Sequence, residues 1–214
     1  MYHLFNKLHG VHVTIRPEQN LHNWLNPHSL HYKPQIFDAI FNYAAHTQQH
    51  EHLKVCISIP EMDAAAWKYA HRKQLILNGT FSVCSSLLLL FITMAIDDEG
   101  KGVPLALFLF SAPTGNQATQ AGYNWEILHE LLCSCKSHLS KGQTTPFCPI
   151  VAITDTDTKE RGALQDVWPH IWLLLCQFHL QQCWTNRRKK LMAGKDPDFS
   201  KQHICRRALE LEVR

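Results

Sequence analysis

Three apolar runs follow one another in the middle of the chain and give the first indication of its architecture. They cover residues 74–83, 87–96 and 103–110, and Gly100-Lys101-Gly102 separates the second run from the third. A short glycine-containing segment between two apolar runs is typical of a hairpin turn. Continuous apolar runs are typical of strands that are covered on both faces. The pattern therefore predicts three successive strands.

After these strands, the apolar positions change to a helical spacing and then to alternating short strands and helices. Residues 119–139 carry apolar side chains along one face, which predicts a long helix. A short strand at 150–154, a helix at 158–167 and a strand at 171–175 follow, and a basic helix begins near Phe178. The order from residue 74 is βββαβαβα, which predicts an α/β fold built on a mixed sheet.

The beginning of the chain has a different pattern, rich in histidine and interrupted by proline. A helix is predicted from Pro34 to about His50, because proline suits a first turn and the apolar residues fall on one face. A second, short helix is predicted from Glu61 to about His71. We therefore expect a mostly helical or irregular extension over 1–73, a core domain over 74–193 and a charged tail over 194–214.

Composition and charge narrow the class of protein. Hydrophobic residues make up 45% and charged residues 18% of the chain, which fits a globular fold rather than a disordered one. The start has no signal-peptide pattern, and the longest apolar run is shorter than the ~20 residues of a membrane-spanning helix. We therefore expect an intracellular protein that is not secreted, has no membrane partner, and keeps its eight cysteines as free thiols or metal ligands. The net charge of +3 is compatible with nucleic-acid binding but does not require it.

Candidate acidic chemistry lies at the end of the fourth predicted strand, in Ile153-Thr-Asp155-Thr-Asp157. Ligand-binding groups occupy strand ends in α/β sheets, so Asp155 is a candidate metal ligand, and Asp157 a weaker one. The alternative is that Asp155 or Asp157 caps the helix that begins at Thr158. Position alone leaves both interpretations open. Glu160 is near enough in sequence to position Asp155 as a metal ligand. A favourable negative charge at the helix N-terminus is the simpler explanation for Glu160.

Three residues further along have the spacing of metal ligands: Cys176, His179 and Cys183. A structural zinc site needs four nitrogen or sulfur ligands, and the fourth would have to come from a distant histidine or cysteine. The alternative is a buried Cys176 at a strand end and a His179 that forms a hydrogen bond nearby. We favour this alternative and do not expect zinc.

One strong basic run, Arg187-Arg188-Lys189-Lys190, lies in the last predicted helix. Such a run contacts nucleic-acid phosphates or serves as a nuclear localisation signal. The alternative is a solvated helix face, the commoner fate of charged runs. Trp184 stands beside the run and offers an aromatic surface on which a base can stack.

Residues 74 to about 190 resemble a known family in five short stretches. The stretches are Leu75-Ile-Leu-Asn-Gly-Thr-Phe81, Gly102-Val-Pro-Leu-Ala106, Ile153-Thr-Asp-Thr-Asp-Thr-Lys-Glu-Arg-Gly-Ala-Leu164, Val167-Trp-Pro169 and Cys176-Gln-Phe-His179. In this order and spacing they are similar to the transposase domain of Mutator-like elements (MULE), in the form common in fungal elements. The combination of stretches, rather than any one of them, carries the resemblance.

The resemblance implies a ribonuclease-H-like fold and a DDE-type mechanism. In that mechanism two Asp and one Glu hold Mg²⁺ or Mn²⁺ for DNA strand cleavage and transfer. Asp155 matches the second acidic position, whereas the first, the Asp of an Asp-Gly-Thr motif, is replaced here by Asn78. The family's Glu normally lies well beyond the Cys-x-x-His motif, and the sequence reaches Arg214 without a clear counterpart. We therefore expect an incomplete and catalytically impaired transposase domain.

The resemblance also implies partners and a location. The expected partners are DNA at transposon ends, contacted through Arg187, Arg188, Lys189 and Lys190, and other copies of the chain. No small-molecule substrate is expected, and the expected location is the nucleus or the cytoplasm. The alternative function is a non-enzymatic module, domesticated or decayed, that binds DNA or protein. The missing carboxylate at position 78 favours this alternative over an active enzyme.

Overall fold

The computed structural model describes residues 17–44, 53–80, 88–111 and 125–192. The chain divides into two compact units, one comprising residues 1–174 and the other residues 175–214. The described helices are α1 (Pro17–Leu25), α2 (Pro34–Ala39), α3 (Pro60–Ala65), a π-helix (Ala66–Ala70), α4 (Trp125–Ser140), α5 (Thr158–Val167) and α6 (Gln177–Met192). The described strands are β1 (Ile40–Ala44), β2 (Lys54–Ile57), β3 (Gln74–Thr80), β4 (Leu88–Ile96), β5 (Gly102–Ser111), β6 (Val151–Thr154) and β7 (Trp172–Leu175).

These strands form one mixed sheet in the order β1-β2-β5-β4-β3-β6-β7. The neighbouring pairs from β1 to β3 are antiparallel, whereas β3 and β6 run parallel. At the β7 edge the backbone N–H of Trp172 donates a hydrogen bond to the carbonyl of Ile150 (2.8 Å). A seven-stranded mixed sheet with helices confirms the predicted α/β class.

From residue 74 to the end of α6, the order of elements is the predicted one. Helix α5 spans the predicted residues Thr158–Val167, and the other elements agree to within a few residues wherever the structure describes them. The predicted strand end at 81–83, the predicted helix start at 119–124 and the predicted tail at 194–214 lie outside the described residues.

The predicted helix from Pro34 to about His50 is wrong from Ile40 as far as the structure describes it. Helix α2 ends at Ala39, and the chain continues as strand β1, which pairs with β2. Because β2 pairs with β5, the segment 1–73 adds two strands to the sheet edge instead of forming only a helical or irregular extension. Strand β1 contains β-branched and aromatic residues, which favour extended structure. So short a run fits both a helical and a strand periodicity, and pairing with β2 selects the strand.

The hydrophobic core lies on one face of the sheet. Every second side chain of β4 is buried while those between are half-buried, and β3 and β6 show the same alternation. The buried strand residues form one cluster with the inward faces of α4 and α5, which include Leu128, Leu131 and Leu164. Burial of each such leucine stabilises the fold by about 1.5–3 kcal/mol.

Two polar contacts tie the segment before β3 to helix α4. The Nε2 atom of His138 lies 2.9 Å from an oxygen of Asp63, and the indole N–H of Trp67 donates to the carbonyl of Leu139 (2.9 Å). Helix α3 and the π-helix, which carry Asp63 and Trp67, together confirm the short helix predicted at 61–71. These contacts join the N-terminal segment to the core rather than leaving it apart.

The six cysteines in the described parts of the chain are all free thiols. Burial raises the pKa of Cys56 to about 12 and also raises that of Cys135, so neither thiol is reactive at neutral pH. Cys135 is buried while Cys133, two residues earlier, is only half-buried, since the two lie on different faces of α4. No helix of the described segments is both long and apolar enough to cross a bilayer.

Candidate functional site

Strands β3 and β6 are neighbours and run in the same direction. Their register places Ile76 beside Ile153. Strand β6 ends at Thr154 while β3 continues, so the register extended by two residues brings Asn78 level with Asp155. Residues that are level on neighbouring parallel strands point to the same face, and the strands are about 4.8 Å apart. We therefore expect Asn78 on β3 and Asp155, directly after the end of β6, to be neighbours, where the resemblance places two acidic residues.

The turn after β6 is held by its own aspartates. The Oδ1 atom of Asp155 accepts a hydrogen bond from the backbone N–H of Asp157 (2.6 Å), and Oδ1 of Asp157 accepts one from the N–H of Lys159 (2.8 Å). Asp157 is thus the N-cap of α5, which stabilises the otherwise unpaired amides of the first helical turn. The capping interpretation is confirmed for Asp157, and this side chain has a structural role that accounts for its position.

Glu160 lies in the first turn of α5, yet its side chain is fully buried. Its Oε2 accepts a hydrogen bond from the hydroxyl of Thr154. Burial raises the pKa of this carboxyl from 4.5 to about 8; the hydrogen bond from Thr154 opposes the shift, and the charges of Asp155 and Asp157 add to it. At neutral pH the Glu160 carboxyl is therefore mostly protonated.

The other oxygen of Glu160 faces strand β3. Oε1 lies 3.3 Å from the position that a Cβ atom would take at Gly79, and it has no hydrogen-bond partner among the residues that the structure describes. Two ring atoms of Phe91 lie 2.9 Å from that same Cβ position. The absence of a side chain at Gly79, directly after Asn78, lets both groups approach the strand.

The described residues do not supply the donor set of a two-metal centre. Within these ranges, no three His, Cys, Asp or Glu side chains converge as metal ligands. Asp155 brings one carboxylate, one oxygen of which is already bonded to the Asp157 amide. Asn78 brings a neutral carbonyl, which binds a hard cation more weakly than a carboxylate does.

Cys176, His179 and Cys183 lie in the second compact unit: Cys176 directly precedes α6, and the other two lie in its first two turns. Cys176 is half-buried rather than buried, and Cys183 is exposed. The Nδ1 atom of His179 is buried and lacks a hydrogen-bond partner among the described residues, so the hydrogen bond expected for His179 is not formed by Nδ1 there. The three side chains are not a metal-binding group in the part of the chain that the structure describes.

The basic run lies in the C-terminal half of α6. Arg187, Lys189 and Lys190 are exposed, and Arg188 is half-buried. Trp184, one helical turn before Arg188, has 47% of its surface exposed. Residues four apart share a helix face, so Trp184 and Arg188 lie on the same side of α6. The helix presents both cations and an aromatic ring to solvent.

No protein-family model matches this chain, and no curated protein matches it either. Its function therefore has to be inferred from its own residues and from the geometry of the β3–β6 junction. In that geometry, Glu160 is the residue whose role the sequence conceals. An acidic residue in a first helical turn is usually solvated. The sequence signal for an inward-pointing side chain is the glycine at 79, on the strand that Glu160 faces.

Proposed function

We propose that this chain is a transposase-derived domain of the ribonuclease-H-like class, impaired in catalysis, that contacts DNA through α6. The proposal begins from the likeness of its motifs to the Mutator-like transposase domain and is supported by the order of the strands. Counted from β3, the order across the sheet is third, second, first, fourth and fifth. A site built from acidic residues of the first and fourth strands needs these two strands side by side.

One observation carries the proposal: the β3–β6 register pairs Ile76 with Ile153, and position 78 and Asp155 follow two residues later on the two chains. Two side chains on adjacent parallel strands point to the same face, so two carboxylates there would share a divalent cation. The residue at position 78 is Asn, which has nearly the shape of Asp without its charge. The arrangement therefore retains the geometry of an acidic pair while lacking half of its charge.

The loss of that charge favours a non-enzymatic present role. A site with one carboxylate and one amide holds a divalent cation weakly, and phosphoryl transfer of this class depends on the metal for the activation of water. We propose that the chain binds DNA without cleaving it. The alternative within the same ancestry is an active transposase, which would need a carboxylate supplied by another chain.

The DNA contact is assigned to α6. Arg187, Lys189 and Lys190 are exposed cations that suit contact with phosphates, and the exposed Trp184 suits stacking on an unpaired base. DNA at transposon ends as the partner, and the nucleus as the location, follow from the resemblance. A basic run of this kind also suits nuclear import.

The experiment is a calorimetric titration of the purified chain with Mn²⁺. We expect the natural chain to show no measurable binding and Asn78→Asp to gain a site, because the second carboxylate restores the charge of the pair. Adding Asp155→Ala to Asn78→Asp should abolish the gain. Asn186→Asp, which places the same new charge on the exposed surface of α6, is the matched control and should gain nothing.

Two results would contradict the proposal. If Asn78→Asp binds Mn²⁺ no better than Asn186→Asp, positions 78 and 155 do not form a metal pair. If the natural chain itself binds Mn²⁺ tightly and loses it with Asp155→Ala, the site is not degenerate, and the chain would be tested as an active nuclease. Circular dichroism of every variant establishes that a lost site is not a lost fold.

A further inference from the structure

Glu160 is a buried carboxyl at the junction of two strands and a helix. It belongs to α5, its Oε2 accepts a hydrogen bond from Thr154 at the end of β6, and its Oε1 faces Gly79 on β3. The residue is fully removed from solvent. On each strand, the residue that lies against this carboxyl is the sequence neighbour of a candidate site residue. Thr154 precedes Asp155, and Gly79 follows Asn78.

The burial of this group is costly, and the cost has to be explained. Oε1 has no hydrogen-bond partner among the described residues. An unsatisfied buried polar atom destabilises a fold by about 1–3 kcal/mol, and a methylene group or an alanine at this position would avoid that cost. Native structures keep few such atoms, and many of those that persist serve a function. Packing alone therefore does not explain a carboxyl at position 160.

We propose that Glu160 is a positioning residue, which fixes the Thr154–Asp155 strand end against β3 and so sets Asp155 relative to position 78. This inference rests on the proposed function, because it concerns the same pair of positions. The hydrogen bond from Thr154 holds the residue immediately before Asp155. The Oε1 atom of Glu160 faces Gly79, the residue immediately after Asn78, 3.3 Å from the position that a Cβ atom would take there. One side chain therefore couples the two strand ends.

The pleat of the strands explains why Glu160 acts through the backbone rather than as a ligand. The buried residues of β3 and β6, Leu77 and Thr154 among them, point to the core face where α5 packs. Successive residues of a strand point to opposite faces. Asn78, between Leu77 and Gly79, therefore points away from the face on which Glu160 lies. A cation held by the side chain at position 78 would therefore lie on the opposite face of the sheet from the Glu160 carboxyl.

The test uses the Asn78→Asp protein, in which Mn²⁺ binding is expected, and compares three further changes in it. Glu160→Ala should weaken Mn²⁺ binding about 10–100-fold, the usual effect of removing a group that orients a ligand. Glu160→Gln, which keeps the shape and an acceptor for Thr154, should remain within about threefold of the parent. Val167→Ala, a buried change at the far end of α5, is the matched control and should leave Mn²⁺ affinity unchanged.

The outcomes separate this inference from the proposed function. If Asn78→Asp alone fails to bind Mn²⁺, the proposed function is wrong. If it binds and Glu160→Ala binds equally well, the proposed function stands and the positioning role is wrong. A loss with Val167→Ala equal to that with Glu160→Ala would show general loosening of α5. A loss with Glu160→Gln as large as with Glu160→Ala would show a direct ligand, and either result overturns the inference.

A second variant covers the case in which Glu160→Ala does not fold. Thr154→Val keeps the side-chain volume at the end of β6 and removes the hydroxyl that donates to Glu160. In the Asn78→Asp protein it should weaken Mn²⁺ binding by a smaller factor than Glu160→Ala, because the contact with Gly79 remains. Unchanged Mn²⁺ affinity in a folded Thr154→Val protein would overturn the positioning role.

Discussion

Positions 78 and 160 illustrate two different ways in which a single residue sets the chemistry of this junction. At position 78 the proposed acidic pair has an amide, which has the shape of a carboxylate without its charge, and β3 pairs normally with β4 and β6 around it. At position 160 the carboxyl is present but buried, so its ionisation is opposed by the loss of hydration. The first residue sets the charge of the proposed pair, and the second lies against the ends of both strands.

The buried Glu160 predicts that stability falls as pH rises. Its pKa in the folded chain, about 8, lies above the ordinary value of 4.5. Below pH 4.5 both folded and unfolded chains carry the proton, and there is no penalty. Between 4.5 and 8 the unfolded chain releases the proton first, so the free energy of unfolding decreases by an amount on the order of a few kcal/mol. Urea denaturation of the chain from pH 4 to pH 9, with chelator present, measures the decrease.

Glu160→Gln should remove this pH dependence, because the amide does not titrate. The variant and the natural chain should be similarly stable near pH 4, and the variant should be the more stable one at pH 9. Glu126→Gln, a change at an exposed position in the first turn of α4, is the matched control and should leave the profile unaltered. Parallel profiles for the natural chain and Glu160→Gln would mean that Glu160 is ionised or solvated in the folded chain.

Among the elements, the close approach of α5 and β4 to β3 depends on Gly79. A Cβ atom there would lie 2.9 Å from two ring atoms of the buried Phe91 and 3.3 Å from Oε1 of Glu160. The Phe91 ring is fully enclosed and stacks on Phe110, so it has little freedom to move. We expect Gly79→Ala to destabilise the chain by about 1–3 kcal/mol, the usual cost of overpacking a core. The midpoint of urea denaturation measures the change.

Gly162 provides the matched control for that prediction. It lies within α5, and a Cβ atom added there meets nothing within 4 Å. Alanine is preferred over glycine inside a helix, so Gly162→Ala should stabilise the chain by about 0.5–1 kcal/mol. Two Gly→Ala changes in contacting elements are thus expected to have opposite signs. A stabilising Gly79→Ala would mean that β3 has space on this face, and the packing described for Glu160 would be incorrect.

The elements also show what the sequence could and could not predict. Helix α5 was predicted with its observed bounds, because its N-cap Asp157 and its apolar spacing are local signals. Strand β1 was missed, because Ile40–Ala44 fits a helical and an extended pattern equally, and the partner that decides between them, β2, lies beyond residue 52 in the chain. The hydrophobic periodicity of one segment does not show which distant segment it will pair with.

For the candidate site, the sequence predicted the strands but not the burial around them. Asp155 follows an apolar strand, a local signal that led directly to it. The burial of Glu160 depends on Gly79, which lies on a different strand and comes close only after β3 and β6 have paired. The burial of a polar side chain depends on residues that are distant in sequence. For this reason a single sequence does not show it.

The two compact units have different surfaces. The unit over residues 1–174 contains the junction of β3, β6 and α5, whereas that over residues 175–214 contains α6 with its basic run. The net charge of +3 is too small to attract DNA by itself, so any affinity has to come from a local concentration of cations. The proposal therefore predicts that DNA binding depends on the location of positive charge more than on its total.

That dependence is measurable as salt sensitivity. Affinity for duplex DNA falls with salt, with a slope of about −0.9 in log–log form for each phosphate that a cation neutralises. Replacing Arg187, Lys189 and Lys190 together by Gln removes three exposed cations from α6. We expect this triple variant to bind a random duplex more weakly and the magnitude of its slope to fall by about 2–3. Fluorescence anisotropy at several salt concentrations, with the natural chain alongside, gives both quantities.

A second triple variant distinguishes a local DNA contact from a general effect of charge. Lys68, Arg72 and Lys73 are three exposed cations of the first unit, and replacing them by Gln changes the net charge by the same amount. If α6 is the contact, the slope for this variant stays within about 0.5 of the natural value, because the salt slope counts neutralised phosphates rather than net charge. Equal losses in the two triple variants would mean that binding is diffuse, and α6 would lose its assignment as the DNA-contacting element.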